Sequence, residues 1–155
     1  MQKASPSYTL LILSLSSPLM LGVYRDAALI EKIESKKKTS EALLPLITDV
    51  MDRYPLSRMI YTRGPGSYMA IKLTYIILKT IEIIKNIPFE GCSAFALNGN
   101  KPVKAMGNLY FVKEKETIIT QKFDQAIPQE FSLPSSLETL AIDKASTPNY
   151  VLPAV

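Results

Sequence analysis

Met59-Ile-Tyr-Thr-Arg63-Gly64-Pro65-Gly66-Ser67-Tyr-Met-Ala-Ile-Lys-Leu73 passes from a short apolar run, through a turn, into a helical period. The two glycines let the backbone reverse sharply, and Ser67 is placed to cap the helix that follows. A helix start also presents free N–H groups, so the turn admits two readings. It is a tight strand-to-helix connection, or it cradles a phosphate. The Gly-Lys-Ser/Thr ending of a P-loop is missing, which excludes Walker-type binding. Arg63 is the one basic residue fixed beside Gly64, Gly66 and Ser67, and it is the candidate anion contact.

Downstream, Ser67 to about Asn86 is predicted to be a helix. Met69, Ala70, Leu73, Ile76, Ile77, Ile81, Ile83 and Ile84 cover an arc of about 160° at 100° per residue. One sheet contact needs less, so the excess calls for a second packing partner. Pro88 to Ser93 follows as a fifth strand, and Ala94 to Leu97 as a helical turn. Upstream, Tyr8–Leu15, Leu19–Tyr24 and Ala28–Glu34 read as three strands joined by tight turns, an antiparallel meander. Ser40 to Tyr54 reads as a helix capped by Thr39 or Ser40. Leu43, Leu44, Leu46, Ile47, Val50, Met51 and Tyr54 lie on its apolar side. Met59–Thr62 is the fourth strand. A meander followed by right-handed crossovers gives a mixed five-stranded α/β sheet with helices packed on it, the actin-like or ribonuclease-H-like half-domain arrangement. Residues 1–98 form this domain. Residues 99–155 form a shortened second lobe: a hairpin, Asn108–Val112 with Thr117–Phe123, and an irregular proline-containing tail that docks a short helix or strand on the first domain.

Composition narrows the chemistry. The chain has 155 residues, 47% hydrophobic and 21% charged, the balance of a globular protein. It has no histidine and one cysteine, which removes Ser-His-Asp and Cys-His hydrolysis, Cys/His zinc sites and paired-cysteine redox chemistry. Cys92 is expected to be a buried side chain. Lys+Arg 18 against Asp+Glu 14 gives +4, with no basic run longer than Lys36-Lys37-Lys38, expected to be a solvated loop. Ser14, Ser16, Ser17 and Pro18 interrupt the Leu10–Leu13 run short of a membrane span. No cleaved leader, no membrane partner and a cytoplasmic location are the expectation.

The glycine segment resembles the Gly-Pro-Gly-Ser-Phe-Thr-Gly-Leu-Arg signature of the bacterial TsaB (YeaZ) family. Thr39-Ser-Glu-Ala-Leu-Leu-Pro is similar to that family's His-Ser-Glu-x-Leu-Leu-Pro helix start. Ile87-Pro-Phe-Glu-Gly-Cys-Ser-Ala-Phe-Ala-Leu97 is similar to its Ile-Pro-x-x-Gly-Val-Ser-Ser-Leu-x-Ala-Leu stretch. The resemblance spans about Leu10 to Leu97. It implies an actin-like subunit without catalytic residues or metal of its own. Such a subunit pairs with a TsaD-like catalytic subunit and works with a TsaE-like ATPase in making threonylcarbamoyladenosine on tRNA, touching tRNA only indirectly. ATP or ADP and magnesium would then belong to the complex, and in isolation a homodimer is open to it. Ser14 stands where the family commonly has aspartate, so a first-strand magnesium ligand is missing. The pairing surface is expected on Leu44, Ile47 and Met51 of the first helix and on Ala70, Leu73, Ile77 and Ile84 of the second. The competing expectation is a small nucleotide-binding enzyme, or a degenerate glycoprotease-like peptidase, using the glycine turn.

Overall fold

A computed structural model describes residues 5–143 and 145–150. Strands β1 (Tyr8–Leu13), β2 (Leu19–Arg25) and β3 (Ala28–Ser35) form the meander. Helix α1 (Thr39–Arg53) crosses over to β4 (Leu56–Gly64), and helix α2 (Tyr68–Lys85) crosses to β5 (Phe89–Ser93). The short helix α3 (Ala94–Leu97) leads into the second lobe, β6 (Val103–Met106), β7 (Leu109–Glu114) and β8 (Thr117–Lys122). The chain then returns through a 3₁₀ turn, Leu137–Thr139, to β9 (Ile142–Asp143).

Two sheets result, one ordered β3-β2-β1-β4-β5-β9 and one ordered β6-β7-β8. The first therefore has six strands rather than the five expected. The sixth, β9, pairs antiparallel with the outer edge of β5. β4 is parallel to both β1 and β5, as crossovers through α1 and α2 require. The strand extends beyond Met59–Thr62 at both ends, through Arg58 and Arg63, because β1 pairs with its first part and β5 with its last.

Two apolar layers hold the first sheet. On one face, Leu10, Ile12, Leu21, Val23, Met59 and Tyr61 pack against Leu43, Ile47 and Val50 of α1 and Ile71, Leu78 and Ile81 of α2. On the other, Leu11, Leu13, Met20, Tyr24, Ile60 and Cys92 meet Leu97, Leu137 and Leu140. That second face is covered by α3 and the returning tail instead of by long helices. Tyr24 Oη donates to the Pro134 carbonyl (2.7 Å), and Leu29 N–H donates to the Ser135 carbonyl (3.0 Å).

The lobes are joined by a polar knot. Asn98, fully buried, donates through Nδ2 to the Pro102 carbonyl (3.2 Å) and to Gln129 Oε1 (3.3 Å). Its Oδ1 accepts from Glu130 N–H (2.6 Å). Below it, Ala94, Phe95, Val103 and Phe111 form a small core of their own.

Candidate functional site

The glycine turn leaves β4 with Gly64 at φ +135°, a conformation that L side chains rarely adopt. Ser67 caps α2 as expected, its Oγ accepting from Ala70 N–H (3.4 Å). What covers Gly64 is not solvent but residues 145–150. Asn149 N–H donates to the Arg63 carbonyl (2.7 Å), and a Cβ on Gly64 would collide with the Asn149 carbonyl. Tyr61 Oη donates to the Ser146 carbonyl (2.6 Å), and the Tyr150 ring lies 4.5 Å from that of Tyr68.

Arg63 closes this strap. Its Nε donates to the Thr147 carbonyl (2.7 Å), and its Nη1 meets Asp143 Oδ2 at 3.2 Å. Its stem lies over β5 at Gly91, where a Cβ would strike the Arg63 side chain. Gly91 is there to let the arginine pass. The guanidinium expected to meet an external anion is already engaged by the chain's own carboxylate and carbonyl, which corrects the anion-contact reading of Arg63. Of the two readings of the turn, the tight connection fits the geometry, with the strap as its lid.

Beyond Gly66 and Ser67 a cleft of about 330 Å³ opens between the lobes. Leu15, Ser16 and Ser17 line one wall, and Val103, Lys104, Ala105, Gln129 and Phe131 the other. Ser14 does not reach it. Its side chain is buried, and its Oγ is 2.8 Å from Thr74 Oγ1 of α2. Thr74 in turn donates to the Ala70 carbonyl (2.7 Å). The first-strand position is thus spent on fastening α2 to the sheet. Among the described residues no group of three His, Cys, Asp or Glu side chains converges as a metal would need.

The helices present a different kind of surface. Leu44 of α1 is 53% exposed, and Met69, Ile76, Ile83 and Ile84 of α2 are 71, 50, 73 and 70% exposed. Met51, Ala70, Leu73 and Ile77 are half-buried. A groove of about 340 Å³ lies where the helices begin, between Thr39 and Ser40 on one side and Met69, Ala70 and Leu73 on the other. Ile47 departs from the expectation. It is 0% exposed and sits in the monomer's own core, since its side of α1 faces the sheet. Met69, Ile76 and Ile83, outside the expected pairing set, recur at seven-residue intervals along the exposed side of α2. That spacing was the signal in the sequence which could have found them.

Two further titratable groups, Glu31 and Cys92, have shifted values with structural causes. Glu31 accepts from Arg53 Nη1 (2.7 Å), from Arg53 Nη2 (2.6 Å) and from Tyr54 Oη (2.8 Å). These bonds, the arginine's first, hold its carboxyl below the usual range. Burial pushes the Cys92 thiol up to about 12, so it stays protonated and inert at neutral pH.

The arrangement can be compared with known proteins. No family model and no curated protein matches the chain. Solved structures do. One, a protein from Pseudomonas aeruginosa described as uncharacterized with similarity to peptidase YEAZ, superimposes with a TM-score of 0.60 at 11% identity. The match covers 79% of this chain and 70% of that one. A second, YeaZ from Pseudomonas aeruginosa, gives 0.57 at 11% identity over 79% and 71% of the two chains. The chain has the YeaZ fold. It is the actin-like, ribonuclease-H-like α/β arrangement that the strand order implied. Against the YeaZ fold as frame, the glycine turn sits where β4 meets α2, and the exposed apolar face belongs to the two crossover helices. No helix among the described residues is long and apolar enough to cross a membrane.

Proposed function

We propose that this chain is a scaffold subunit for making threonylcarbamoyladenosine on tRNA, pairing through α1 and α2 with a TsaD-like catalytic subunit and acting beside a TsaE-like ATPase. The observation that carries the reading is the uncovered apolar face: Leu44, Met69, Ile76, Ile83 and Ile84 all lie open on two helices whose inner sides are already packed. Apolar area of that kind is withdrawn from water by association, at roughly 25 cal/mol per Å². Two helices from each of two chains can interdigitate as a four-helix bundle. The reading assigns no catalytic residue, metal or nucleotide to the isolated chain.

Co-expression with a TsaD-like subunit and capture through a tag on this chain tests the reading. The pair should co-purify, and Ile84→Glu or Met69→Glu should abolish capture while leaving the fold intact. Capture that survives both substitutions overturns it.

The interlobe cleft beside Gly66 and Ser67 favours a second reading, a small nucleotide-binding enzyme or degenerate peptidase. Calorimetry with ATP and magnesium on the isolated chain separates the two. Saturable binding with turnover would replace the scaffold reading.

A further inference from the structure

A sheet edge is a row of unpaired N–H and C=O groups, and proteins blunt such edges with charge, bulges, short strands or a covering segment. Three of the edges here are managed in these ways. β3 carries the Lys32–Glu34 pair and a register shift opposite Val23/Tyr24, and its first residues are bridged by the tail at Ser135 and Ser136. β5 is covered by β9, itself only two residues long. β6 has a register shift between Lys104 and Met106, and its Lys104 N–H is taken by Gln129 Oε1 (3.0 Å).

β8 has only one of these devices, a lysine at its last position, Lys122. It pairs with β7 over six consecutive positions without a shift. Thr117-Ile118-Ile119-Thr120-Gln121 carries no charge and no proline, and its first four residues are all β-branched. Among the described residues no group outside β7 hydrogen-bonds to this strand.

We propose that the edge of β8 pairs antiparallel with β8 of a second copy of this chain, joining two three-stranded sheets into one of six strands. Charge and shape select the register. With Ile119 opposite the partner's Ile119, Glu116 stands opposite the partner's Lys122 at both ends of the contact, and Thr117 opposite the partner's Gln121. A slip of one residue, Ile118 opposite the partner's Ile119, puts the ladder groups out of phase, and a slip of two, Ile118 opposite the partner's Ile118, puts Lys113 in place of Val112 beside the axis pair. Within the chain Val112 is the neighbour of Ile119, and both are half-buried. The chosen register therefore runs an unbroken apolar row, Val112–Ile119–Ile119–Val112, across the two-fold axis. This surface lies on the second lobe and is independent of the helix face.

Sedimentation of the full chain over a concentration series tests it, with circular dichroism to confirm folding. Wild type should show a reversible monomer–dimer equilibrium. Ile119→Lys, which sets two ammonium groups together at the axis, should weaken it by about 100-fold or more. Glu116→Lys and Lys122→Glu should each weaken it roughly tenfold, and the double swap Glu116→Lys/Lys122→Glu should restore it. Ile84→Glu, on the helix face, should leave this dimer unchanged. A wild type that stays monomeric overturns the proposal. So does a dimer broken by Ile84→Glu but indifferent to Ile119→Lys and to both charge reversals. A double swap that fails to restore pairing rules out the two-fold register.

Discussion

The glycine turn ends where α2 begins, yet the turn and the outer face of that helix have opposite fates. The turn is closed from within, with Asn149 against Gly64 and Thr147 and Asp143 on Arg63. The helix face is left open, with Met69, Ile76, Ile83 and Ile84 uncovered. Both stand out in the sequence as candidate sites, and for different reasons. A glycine pair reports backbone geometry and says nothing about what fills the space it makes. A wide apolar arc reports how much burial a helix demands, and one sheet supplies only part of it. The demand is therefore the firmer pointer to a partner.

The comparison breaks first in the core. Ile47→Glu puts a charge where no solvent reaches and should cost ~4 kcal/mol or more, enough to unfold the chain, as read by loss of the far-ultraviolet helix signal. If it folds and only loses a partner, α1 faces outward more than its packing implies. Next comes the turn. Gly64→Val should lose about 3 kcal/mol in chemical denaturation, from positive-φ strain plus displacement of the Asn149 carbonyl. An unchanged midpoint would mean that the strap does not lie there. Arg63→Ala should cost about 1–2 kcal/mol through its bonds to Thr147 and Asp143, and should speed proteolytic cleavage near residues 145–150. At the small end, Ile84→Glu should change monomer stability by no more than about 0.5 kcal/mol, since 70% of that residue is already in water.

Acid sharpens the contrast at the far end of α1. Glu31 is held below its ordinary range by Arg53, so its contribution is fully present above the unfolded-state carboxyl value and is lost as pH falls through the lowered folded-state value. The stability difference between wild type and Arg53→Met should therefore shrink across that acidic window. A difference that stays constant with pH would show that the pair contributes packing alone.

Much of the first domain was legible because its signals are local. The β1–β3 meander is punctuated by Ser-Ser-Pro and Arg-Asp-Ala, Ser67 caps α2, and Pro88 follows its end. What escaped is held by distant partners. A short element docked from the tail is expected, but Ile142 and Asp143 have no periodicity to say where it lies, and Asp143 meets Arg63 eighty positions away. Ser14 looks like the loss of a metal ligand until Thr74 is seen beside it, sixty residues on. Ile47 escapes a sequence reading because the angle of a residue on its own helix does not say where the sheet lies. The defended and undefended sheet edges were invisible for the same reason, since pairing is a property of neighbours in space.

The strap sets an order of events for a chain that emerges N-terminus first. β4 and β5 are synthesised long before Ile142 and Asp143, which seal the β5 edge, and before residues 145–149, which cover the Gly64 turn; the Arg63–Thr147 contact closes a loop of eighty-four positions. Such loops are entropically costly and close late. During synthesis the nascent domain thus carries an open strand and an unfastened arginine until these residues arrive, the interval in which a chaperone or a neighbouring nascent chain would find it most adhesive.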